Sequence, residues 1–460
     1  MAIQTINPFN NQVVKTFQEM SEEAVDSAIA RAEKTFESWK RISYQERATI
    51  LHKVAALMRS KSTQLAELIT LEMGKLISQS KGEIALSADI IDYYATNGAT
   101  FLADKQLDPQ YGEAYITSSP IGVLLGVEPW NFPFYQVARF AAPNIMAGNV
   151  VLVKHASNVP QCAIAIEELF TEAGAPEGLY TNLFVSGNNV SAYIADPRIK
   201  GVSLTGSEKA GASLAAAAGR SLKKSVLELG GSDAFIVLED ADIDQAVEWG
   251  VIGRMNNTGQ CCVAAKRFIV VEAVAEEFLT KFKAKLTGLK VGDPMDESTE
   301  LGPLSSENAA VQLADQVQRS VYAGARVVLG GKRIDRPGAF METTILTDIK
   351  PGMPAYYEEL FGPVASFYTV KDEQEAVKLA NDSPFGLGGS VFTSDKNRGK
   401  NVASQIDTGM VFINHPTWTQ PDLPFGGTKI SGYGRELSSL GIEEFVNKKL
   451  IRFSEYTDPF

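Results

Sequence analysis

The sequence predicts an α/β protein organised around a doubly wound parallel sheet, with a second α/β domain after it. From Ile121 to Leu229, short apolar runs alternate with helical segments. Strands that are buried on both faces read as such uninterrupted apolar runs, and the helices between them cover both faces of a parallel sheet. In addition, a chain of 460 residues is too long for one ordinary hydrophobic core.

The segments before this sheet predict helices and one hairpin. Apolar residues recur at helical spacing from Ile50 to Met58 and again from Leu65 to Leu71, so we expect the first hundred residues to be helical. The polar stretch 106–119 alternates around Ile116, which is typical of an exposed hairpin or an edge strand.

Short strands and the helices between them are predicted for the parallel sheet. The strands are expected at Val123–Val127, Val150–Val153, Leu183–Val185, Val202–Leu204 and Val226–Leu229, and the helices at Phe134–Met146, Gln161–Ala173 and Glu208–Ala218. An open parallel sheet binds ligands at the carboxyl ends of its strands. Polar side chains at those ends are therefore the first candidates for a functional site.

The second α/β domain is predicted from about Gly231 onward. Its strands are expected at Ala234–Val237, Phe268–Val271 and Arg326–Leu329, and its helices at Val274–Leu289, Asn308–Tyr322 and Glu373–Ala380. The tail, 448–453, is short and strand-like. An unpaired strand at a terminus often pairs with something outside its own domain, and we expect this of the tail.

The charge balance and the apolar stretches exclude several classes of function. The 43 basic and 55 acidic residues give a net charge of −12, which argues against a nucleic-acid or anionic-membrane partner, because both need a clustered positive field. The longest apolar stretch, 140–153, is broken by Pro143 and Gly148, so we expect no membrane span. Few cysteines and no export signal indicate the cytoplasm.

Two of the three cysteines, Cys261 and Cys262, are adjacent and follow Gly259-Gln260. This arrangement fits neither a disulfide framework nor a metal site, and none of the three histidines has metal-ligand spacing. Two interpretations are left. The pair contains either a thiol nucleophile or a small buried side chain, which is the commoner role of a free cysteine.

Other segments could support chemistry, and each also has an ordinary structural explanation. Glu228 at the end of an apolar strand suits a general base, or it points into solvent. Asn131 between two prolines suits an oxyanion donor, or it caps a helix. Lys154 at a strand end suits a ribose or phosphate contact, or it is simply solvated.

Three further segments are similarly open to two interpretations. The strand–Gly–helix turn at 205–207 suits a phosphate at a helix N-terminus, although a capped helix explains it about as well. Glu359 could bind ribose hydroxyls and Phe361 could lie against a ring, or they are a surface carboxylate and a core aromatic. The stretch 424–436 is rich in glycine and is typical of a structured functional loop.

Together these segments resemble the aldehyde dehydrogenase superfamily, in the order in which that family carries them. Gly259-Gln260-Cys261-Cys262 matches the active-cysteine motif, with Cys262 at the nucleophile position. Residues 227–231 match the glutamate motif around Glu228, and 129–133 match the oxyanion motif around Asn131. The segments at 205–207, 359–363 and 424–427 match as well.

The resemblance implies oxidation of an aldehyde to a carboxylic acid with NAD or NADP. Cys262 attacks the aldehyde, Asn131 and the Cys262 N–H stabilise the oxyanion, and hydride transfer leaves a thioester that Glu228-activated water releases. Glu228 also argues against the branch of the family that transfers the acyl group to CoA. The implied cofactor-binding residues are Trp130, Lys154, Ser157, Gly187, Thr205, Gly206, Ser207, Leu229, Glu359 and Phe361. Ser157 replaces a glutamate that disfavours the 2′-phosphate in the family, which leaves both cofactors open.

Within the family, residues 134–139 are most similar to the short bacterial succinate-semialdehyde dehydrogenases. An arginine in this place grips the far carboxylate of the substrate, so the resemblance implies that role for Arg139. Further substrate contacts are implied for Phe132, Gln136, Thr419 and Phe425.

The chain departs from this pattern at Asn256, where many such enzymes have a second arginine. Either Arg139 acts with other donors, such as Thr419 or Gln420, or the substrate is another aldehyde, such as glutarate semialdehyde. A cofactor-independent thiol esterase is an alternative of a different class. Cys261 either packs or serves as a resolving thiol when Cys262 is oxidised.

The family fold implies three units. Residues 1–105 and 120–229 are expected to form the NAD(P)-binding domain, and 230–431 the catalytic domain. Residues 106–119 and 432–460 are expected to form a small bridging β unit. In this family the bridging unit pairs subunits, so we expect a homodimer or a homotetramer.

Overall fold

Two large β-sheets that share no strand organise the fold. The computed structural model describes residues 3–458. Its α-helices are α1 (Glu22–Trp39), α2 (Tyr44–Ser60), α3 (Ser62–Met73), α4 (Ile77–Phe101), α5 (Tyr135–Ala147), α6 (Pro160–Glu172), α7 (Val190–Ala195), α8 (Glu208–Arg220), α9 (Ile243–Met255), α10 (Glu272–Thr287), α11 (Glu307–Tyr322), α12 (Pro354–Tyr357), α13 (Glu373–Asn381), α14 (Lys396–Ala403) and α15 (Ser438–Ile442).

The strands are distributed over the whole chain. They are β1 (Ile3–Asn7), β2 (Gln12–Phe17), β3 (Lys105–Leu107), β4 (Glu113–Pro120), β5 (Val123–Glu128), β6 (Val150–His155), β7 (Tyr180–Asn182), β8 (Ile199–Thr205), β9 (Lys224–Glu228), β10 (Asp233–Val237), β11 (Ala265–Val271), β12 (Arg326–Leu329), β13 (Thr344–Thr347), β14 (Val364–Val370), β15 (Phe385–Gly386), β16 (Gly389–Phe392), β17 (Phe412–Ile413), β18 (Thr428–Lys429), β19 (Gly432–Tyr433) and β20 (Val446–Phe453).

The first large sheet has six strands in the order β19-β9-β8-β5-β6-β7. Its strands run parallel except β19, which is antiparallel to β9. Helices α5, α6 and α8 each follow one of these strands, as the alternation of apolar runs and helical segments predicts, and the doubly wound fold is confirmed. The carboxyl ends of β5, β6, β8 and β9 bring Glu128, Lys154, Thr205 and Glu228 to one edge of the sheet.

The second large sheet has seven strands in the order β12-β13-β14-β11-β10-β16-β17. It is parallel except for the antiparallel pair of β12 and β13. A buried aromatic group that includes Phe235, Phe268 and Phe278 packs on this sheet. The second α/β domain therefore has a core of its own, next to the segment with the paired cysteines.

A third, three-stranded sheet joins the predicted hairpin to the tail. β3 and β4 pair antiparallel, and β20 pairs with β4 from Val446 opposite Pro120 to Phe453 opposite Glu113. Residues 432–433, which the sequence assigns to this unit, pair instead with β9 of the first large sheet. The three domain boundaries otherwise stay predictions.

Two local predictions were wrong. The first residues form the β1–β2 hairpin rather than a helix, because Ile3 and Thr5 alternate onto a buried face and the Thr5 hydroxyl bonds to buried Glu72. The strand expected at 183–185 is β7, which ends at Asn182. The Val185 N–H bonds to the Leu183 carbonyl, and this tight turn takes the chain out of the sheet. Of the helices within residues 3–458, none has the length and apolar character to span a membrane.

Candidate active site

Cys262 follows a tight turn that leaves the end of α9. Asn257, Thr258 and Gly259 have successive φ values of 53°, 55° and 77°, all in the left-handed region. A Cβ on Gly259 would lie 2.3 Å from the Gly362 carbonyl oxygen, so only glycine fits there. A β-branched residue such as Thr258 rarely adopts this conformation, and such strain persists only where the surroundings hold it.

Amide hydrogen bonds hold this turn against the predicted oxyanion residue. The Asn257 side chain donates to the carbonyls of Asn131, at 2.9 Å, and Gln260, at 3.1 Å. The Asn131 Nδ2 donates to the same Gln260 carbonyl at 3.2 Å. The structure thus brings Asn131 and the nucleophile segment into contact, as the motif order implies. The oxyanion role itself stays a prediction.

Cys262 is half-buried and opens onto a cavity of about 290 Å³. The cavity is lined by Gln79, Gly82, Glu83, Leu86, Phe132, Tyr135, Gln136, Gly253, Asn256, Cys261, Cys262, Val263, Ala264, Thr417, Trp418, Thr419 and Phe425. Four of the predicted substrate residues, Phe132, Gln136, Thr419 and Phe425, are in this lining. So is Asn256, the position at which the resemblance implies a second arginine. Gln420, offered above as a further donor, is exposed and lies outside it.

The one charged residue of this lining, Glu83, is neutralised within the protein. It forms an ion pair with buried Lys75 and accepts the N–H groups of Phe134, at 2.8 Å, and Tyr135, at 3.2 Å. The Lys75 ammonium lies 3.6 Å from the centre of the Phe132 ring. A substrate in the cavity therefore meets no unpaired cation among its lining residues.

Neutral hydrogen-bonding groups also line the cavity. Gln136 is only 1% exposed, and among residues 3–458 neither atom of its amide group has a hydrogen-bond partner. The Tyr135 hydroxyl lies 3.3 Å from the Thr419 hydroxyl. Because buried polar groups are normally satisfied, the free Gln136 amide marks a place where a polar ligand fits.

Arg139 does not reach the cavity, which corrects its expected role. Its side chain is fully buried and forms an ion pair with Glu436. It also donates to the Tyr135 hydroxyl at 2.8 Å and to the Thr205 hydroxyl at 3.1 Å. A guanidinium buried in the core needs a counter-ion, and Glu436 meets that need. A direct contact between the Arg139 guanidinium and a substrate carboxylate does not fit this position.

Glu228, the predicted general base, is 2% exposed, and within residues 3–458 neither of its carboxyl oxygens has a hydrogen-bond partner. Burial raises its pKa well above the usual range, and the nearby Arg139 guanidinium opposes this shift. One oxygen lies 2.8 Å from the position of a Cβ on Gly426. The carboxyl group therefore faces the loop 424–427, and its role as a base stays a prediction.

The thiol of Cys262 has a raised pKa. Its hydrogen bond with Cys261 is the main cause and burial adds to it, whereas the positive charges of Arg139 and Lys266 act in the opposite direction. Cys261 itself is buried beside it.

Residues implied in holding the nicotinamide end of a cofactor surround the cysteine segment. Glu359 accepts the Gly231 N–H at 3.2 Å and pairs with Lys266 at 2.9 Å. A Cβ on Gly230 would lie 2.1 Å from a Glu208 oxygen and 2.6 Å from a Glu359 oxygen. That Glu208 oxygen is buried and has no partner within residues 3–458. Two carboxylates beside a glycine fit the hydroxyl groups of a ribose.

An aromatic pair lies in the same region. The rings of Trp130 and Phe361 meet edge to face with centroids 5.8 Å apart. Leu229 is buried beneath α8, where a Cβ on Gly211 would lie 2.6 Å from its side chain. This close approach brings the start of α8 against the end of β9.

The residues implied at the adenosine end lie at the carboxyl edge of the first sheet. Lys154 is the penultimate residue of β6, where burial lowers its pKa and the Glu19 charge opposes that effect. Ser207 caps α8 by accepting the Ala210 N–H. Gly206 precedes this cap, and Ser157 is half-buried just beyond β6, whereas Gly187 lies in an exposed turn beyond β7.

Thr205 differs from the other residues implied at this end. Its hydroxyl accepts a hydrogen bond from Arg139. The side chain is thereby directed into the protein, so only its backbone is free to face a cofactor.

Several residues of the site were missed by sequence reasoning. Lys266, Glu436 and the Lys75–Glu83 pair all have buried charges. A charged residue within an apolar run is a usable signal, because a buried charge needs a partner. Lys266, which follows Val263-Ala264-Ala265, carries that signal.

Comparisons with known proteins agree with this geometry. The profile of the aldehyde dehydrogenase family matches residues 1–451. The succinate-semialdehyde dehydrogenase (NADP+) of Deinococcus radiodurans is 53% identical over 448 residues, covering 97% of this chain and 94% of the relative. The probable succinate-semialdehyde dehydrogenase (NADP+) of Synechocystis sp. is 48% identical over 451 residues, covering 98% and 99%.

A solved structure is similar over almost the same length. The succinic semialdehyde dehydrogenase of Streptococcus pyogenes, in complex with NADP+, has a TM-score of 0.97 and 46% sequence identity, and the match covers 98% of this chain and all of that one. The family profile, the fold and the motif residues agree with one another. The chain belongs to the aldehyde dehydrogenase family.

Proposed function

We propose that this chain oxidises succinate semialdehyde to succinate with NADP as its preferred hydride acceptor and NAD as the alternative. The observation that supports this substrate is the cavity at Cys262, whose lining includes Tyr135, Gln136 and Thr419. We assign these three side chains to hydrogen bonds with the substrate carboxylate. The names of the relatives point to the same substrate and to NADP.

The chemistry assigned to the chain's own residues uses one thiol and one carboxylate. The Cys262 sulfur, as thiolate, adds to the aldehyde carbon, and the oxyanion accepts hydrogen bonds from Asn131 and the Cys262 N–H. When bound, a nicotinamide would accept the hydride that leaves the former aldehyde carbon, and the acyl group would then be held on Cys262 as a thioester. Glu228 then takes a proton from water, whose oxygen adds to the thioester carbon, and the acid leaves as the Cys262 thiolate is restored.

We assign recognition of the substrate carboxylate to the neutral side chains of Tyr135 and Gln136. The Arg139 cation contacts Tyr135 but not the substrate. Since a guanidinium can only donate, the Tyr135 oxygen accepts from Arg139 and its own proton points onward, to Thr419 or to a ligand. The free Gln136 amide supplies a second donor. This assignment explains how the chain dispenses with an arginine at Asn256.

The preference for NADP is assigned to the edge of β6. Position 157 has a serine in place of a carboxylate that would repel a 2′-phosphate. Lys154 is half-buried there and supplies a positive charge.

Assembly and location complete the proposal. β20 lies at the edge of its sheet and exposes Leu450 and Phe453, so we assign this strand to a contact between subunits of a homodimer or homotetramer. The three cysteines are free thiols, which fits a reducing compartment such as the cytoplasm.

A panel of aldehydes tests the substrate and the cofactor. NADP reduction, followed at about 340 nm, should show kcat/KM for succinate semialdehyde about 100-fold above that for butanal, which has the same chain length and no carboxylate. Equal values for the two would contradict the assignment. Glutarate semialdehyde tests the neighbouring substrate, and Cys262→Ala should abolish NADP reduction. Hydrolysis of an ester without NADP, at a rate matching the dehydrogenase, would favour the esterase alternative.

A further inference from the structure

Lys266 is a buried cation that joins the nucleophile segment to the residue implied in cofactor binding. It lies near the start of β11 and is 2% exposed. Its ammonium donates to the carbonyls of Cys261 and Cys262, at 2.8 Å each. The same nitrogen pairs with a Glu359 oxygen at 2.9 Å.

These contacts use the whole donor capacity of the lysine. An ammonium has three protons, and here two are directed at the backbone of the cysteine pair and one at Glu359. The same Glu359 oxygen accepts the Gly231 N–H at 3.2 Å, and a Cβ on Gly231 would lie 2.4 Å from the Cys262 carbonyl oxygen. The cysteine backbone, the Gly231 backbone and Glu359 therefore meet around one charge.

We propose that Lys266 is a positioning residue that couples occupation of the cofactor site to the reactivity of the Cys262 thiol. This inference rests on the proposed function and on the ribose binding that the family resemblance implies for Glu359. Ribose hydroxyl groups that donate to Glu359 share its negative charge, and less of it then balances the ammonium. The positive field of Lys266 at the thiol increases as a result.

The charges around the site single out Lys266. Two cations oppose the raised pKa of the Cys262 thiol, Arg139 and Lys266, while Cys261 and burial cause it. Arg139 has Glu436 as its counter-ion, and a ribose at Glu359 does not touch that pair. Lys266 alone has a counter-ion that the cofactor reaches. The other charged groups facing this cluster are Asp233 beside Lys266 and Glu208 and Arg254 beside Glu359.

The test uses 2′-phospho-ADP-ribose, which keeps the ribose of NADP and lacks the nicotinamide. It therefore neither covers the thiol with a ring nor adds the ring's charge. The rate of Cys262 alkylation by iodoacetamide is measured against pH, with and without the fragment, and the modified peptide is identified by mass spectrometry. Cys162 and Cys261 are buried, so Cys262 is the thiol expected to react.

In the unsubstituted protein, the fragment should lower the pH midpoint of alkylation by about half a unit, which is about a threefold gain in rate below the midpoint. In Lys266→Met the midpoint should not move when the fragment binds. Lys266→Arg should retain most of the shift. Lys285→Met, which breaks an exposed Lys–Glu pair with Glu248, is the matched control and should behave like the unsubstituted protein.

Three other results would overturn the proposed role of Lys266. A shift in fragment-bound Lys266→Met equal to that of the unsubstituted protein overturns the inference, as does fragment binding without any shift. If calorimetry shows no binding of the fragment at all, the cofactor assignment itself fails, and the inference with it. If Lys266→Met does not fold, Glu359→Gln replaces it: its midpoint should be low without the fragment and unmoved by it, and a midpoint like that of the unsubstituted protein overturns the proposal.

Discussion

The Arg139 guanidinium donates a 2.8 Å hydrogen bond to the Tyr135 hydroxyl, one helical turn earlier on α5. Tyr135 lines the cavity and Arg139 does not. The charge of Arg139 therefore acts on a ligand in the cavity through the tyrosine. A hydroxyl that accepts from a cation is a stronger donor in its turn, which makes Tyr135 the contact to test.

Replacing Tyr135 by Phe should weaken binding of a carboxylate and little else. We expect kcat/KM for succinate semialdehyde to fall about 10- to 100-fold, mainly through KM, because a hydrogen bond to a charged group is worth about 1.5–3 kcal/mol. The value for butanal should change less than about twofold. Tyr322→Phe, at an exposed tyrosine, is the control. An equal fall in kcat/KM for butanal would contradict a hydrogen bond from Tyr135 to the substrate carboxylate.

Replacing Glu228 by Gln should separate the two halves of the reaction. The thiol still reacts, so each active subunit should reduce about one NADP in a rapid burst, after which turnover falls by about 10²–10⁴-fold. Stopped-flow absorbance gives the burst and the later steady rate. Full steady turnover in Glu228→Gln would remove Glu228 from the mechanism.

The pH dependence of the steady-state rate should also show that Glu228 acts as a general base. Burial raises the pKa of Glu228, and a general base must be ionised, so kcat should rise with pH through that raised pKa and then level. The residual rate of Glu228→Gln should lack this rise. A kcat that falls with increasing pH across the same range would contradict the role of a base.

Replacing Ser157 by Glu should reverse the cofactor preference. A carboxylate beside Lys154 repels the 2′-phosphate and accepts a hydrogen bond from a free 2′-hydroxyl. We expect kcat/KM for NADP to drop at least about tenfold while that for NAD holds or rises. Ser157→Ala controls for loss of the hydroxyl. An unchanged ratio would place cofactor selection elsewhere.

Replacing Lys75 by Met should destabilise the protein strongly. It leaves Glu83 as an unpaired carboxylate among buried residues, a change that typically costs about 3–5 kcal/mol. Chemical denaturation gives the change in the free energy of unfolding. Lys81→Met breaks the exposed pair with Glu297 and should cost less than about 1 kcal/mol. Similar losses in the two variants would mean that the buried pair contributes little.

Sequence reasoning succeeded in placing segments whose position depends on strand ends and short motifs. Asn131 and Cys262 belong to segments whose contacts are made by their own neighbours, Asn257 and Gln260, so the motif carries most of the geometry. The doubly wound sheet follows in the same way from uninterrupted apolar runs.

Sequence reasoning failed where the direction of a side chain is set by a partner that is distant in sequence. The spacing from Asn131 correctly places Arg139 on α5 near the site. However, the direction of its guanidinium is set by Glu436, on a loop 297 residues later. Lys266 is a similar case, because its partner Glu359 is 93 residues away. Such pairings depend on tertiary packing, which no local pattern contains.

The buried carboxyl groups Glu128 and Glu228 have different value for protein engineering. Burial raises both pKa values, and in the described part of the chain neither oxygen of Glu228 has a hydrogen-bond partner. An acid whose folded pKa exceeds its unfolded value of about 4.3 lowers stability as pH rises between the two values, and the loss is complete above the folded pKa. At neutral pH both positions therefore work against thermal resistance. Glu128 has no assigned part in turnover and is the position to substitute for a more heat-tolerant catalyst, whereas at Glu228 the same gain would sacrifice activity.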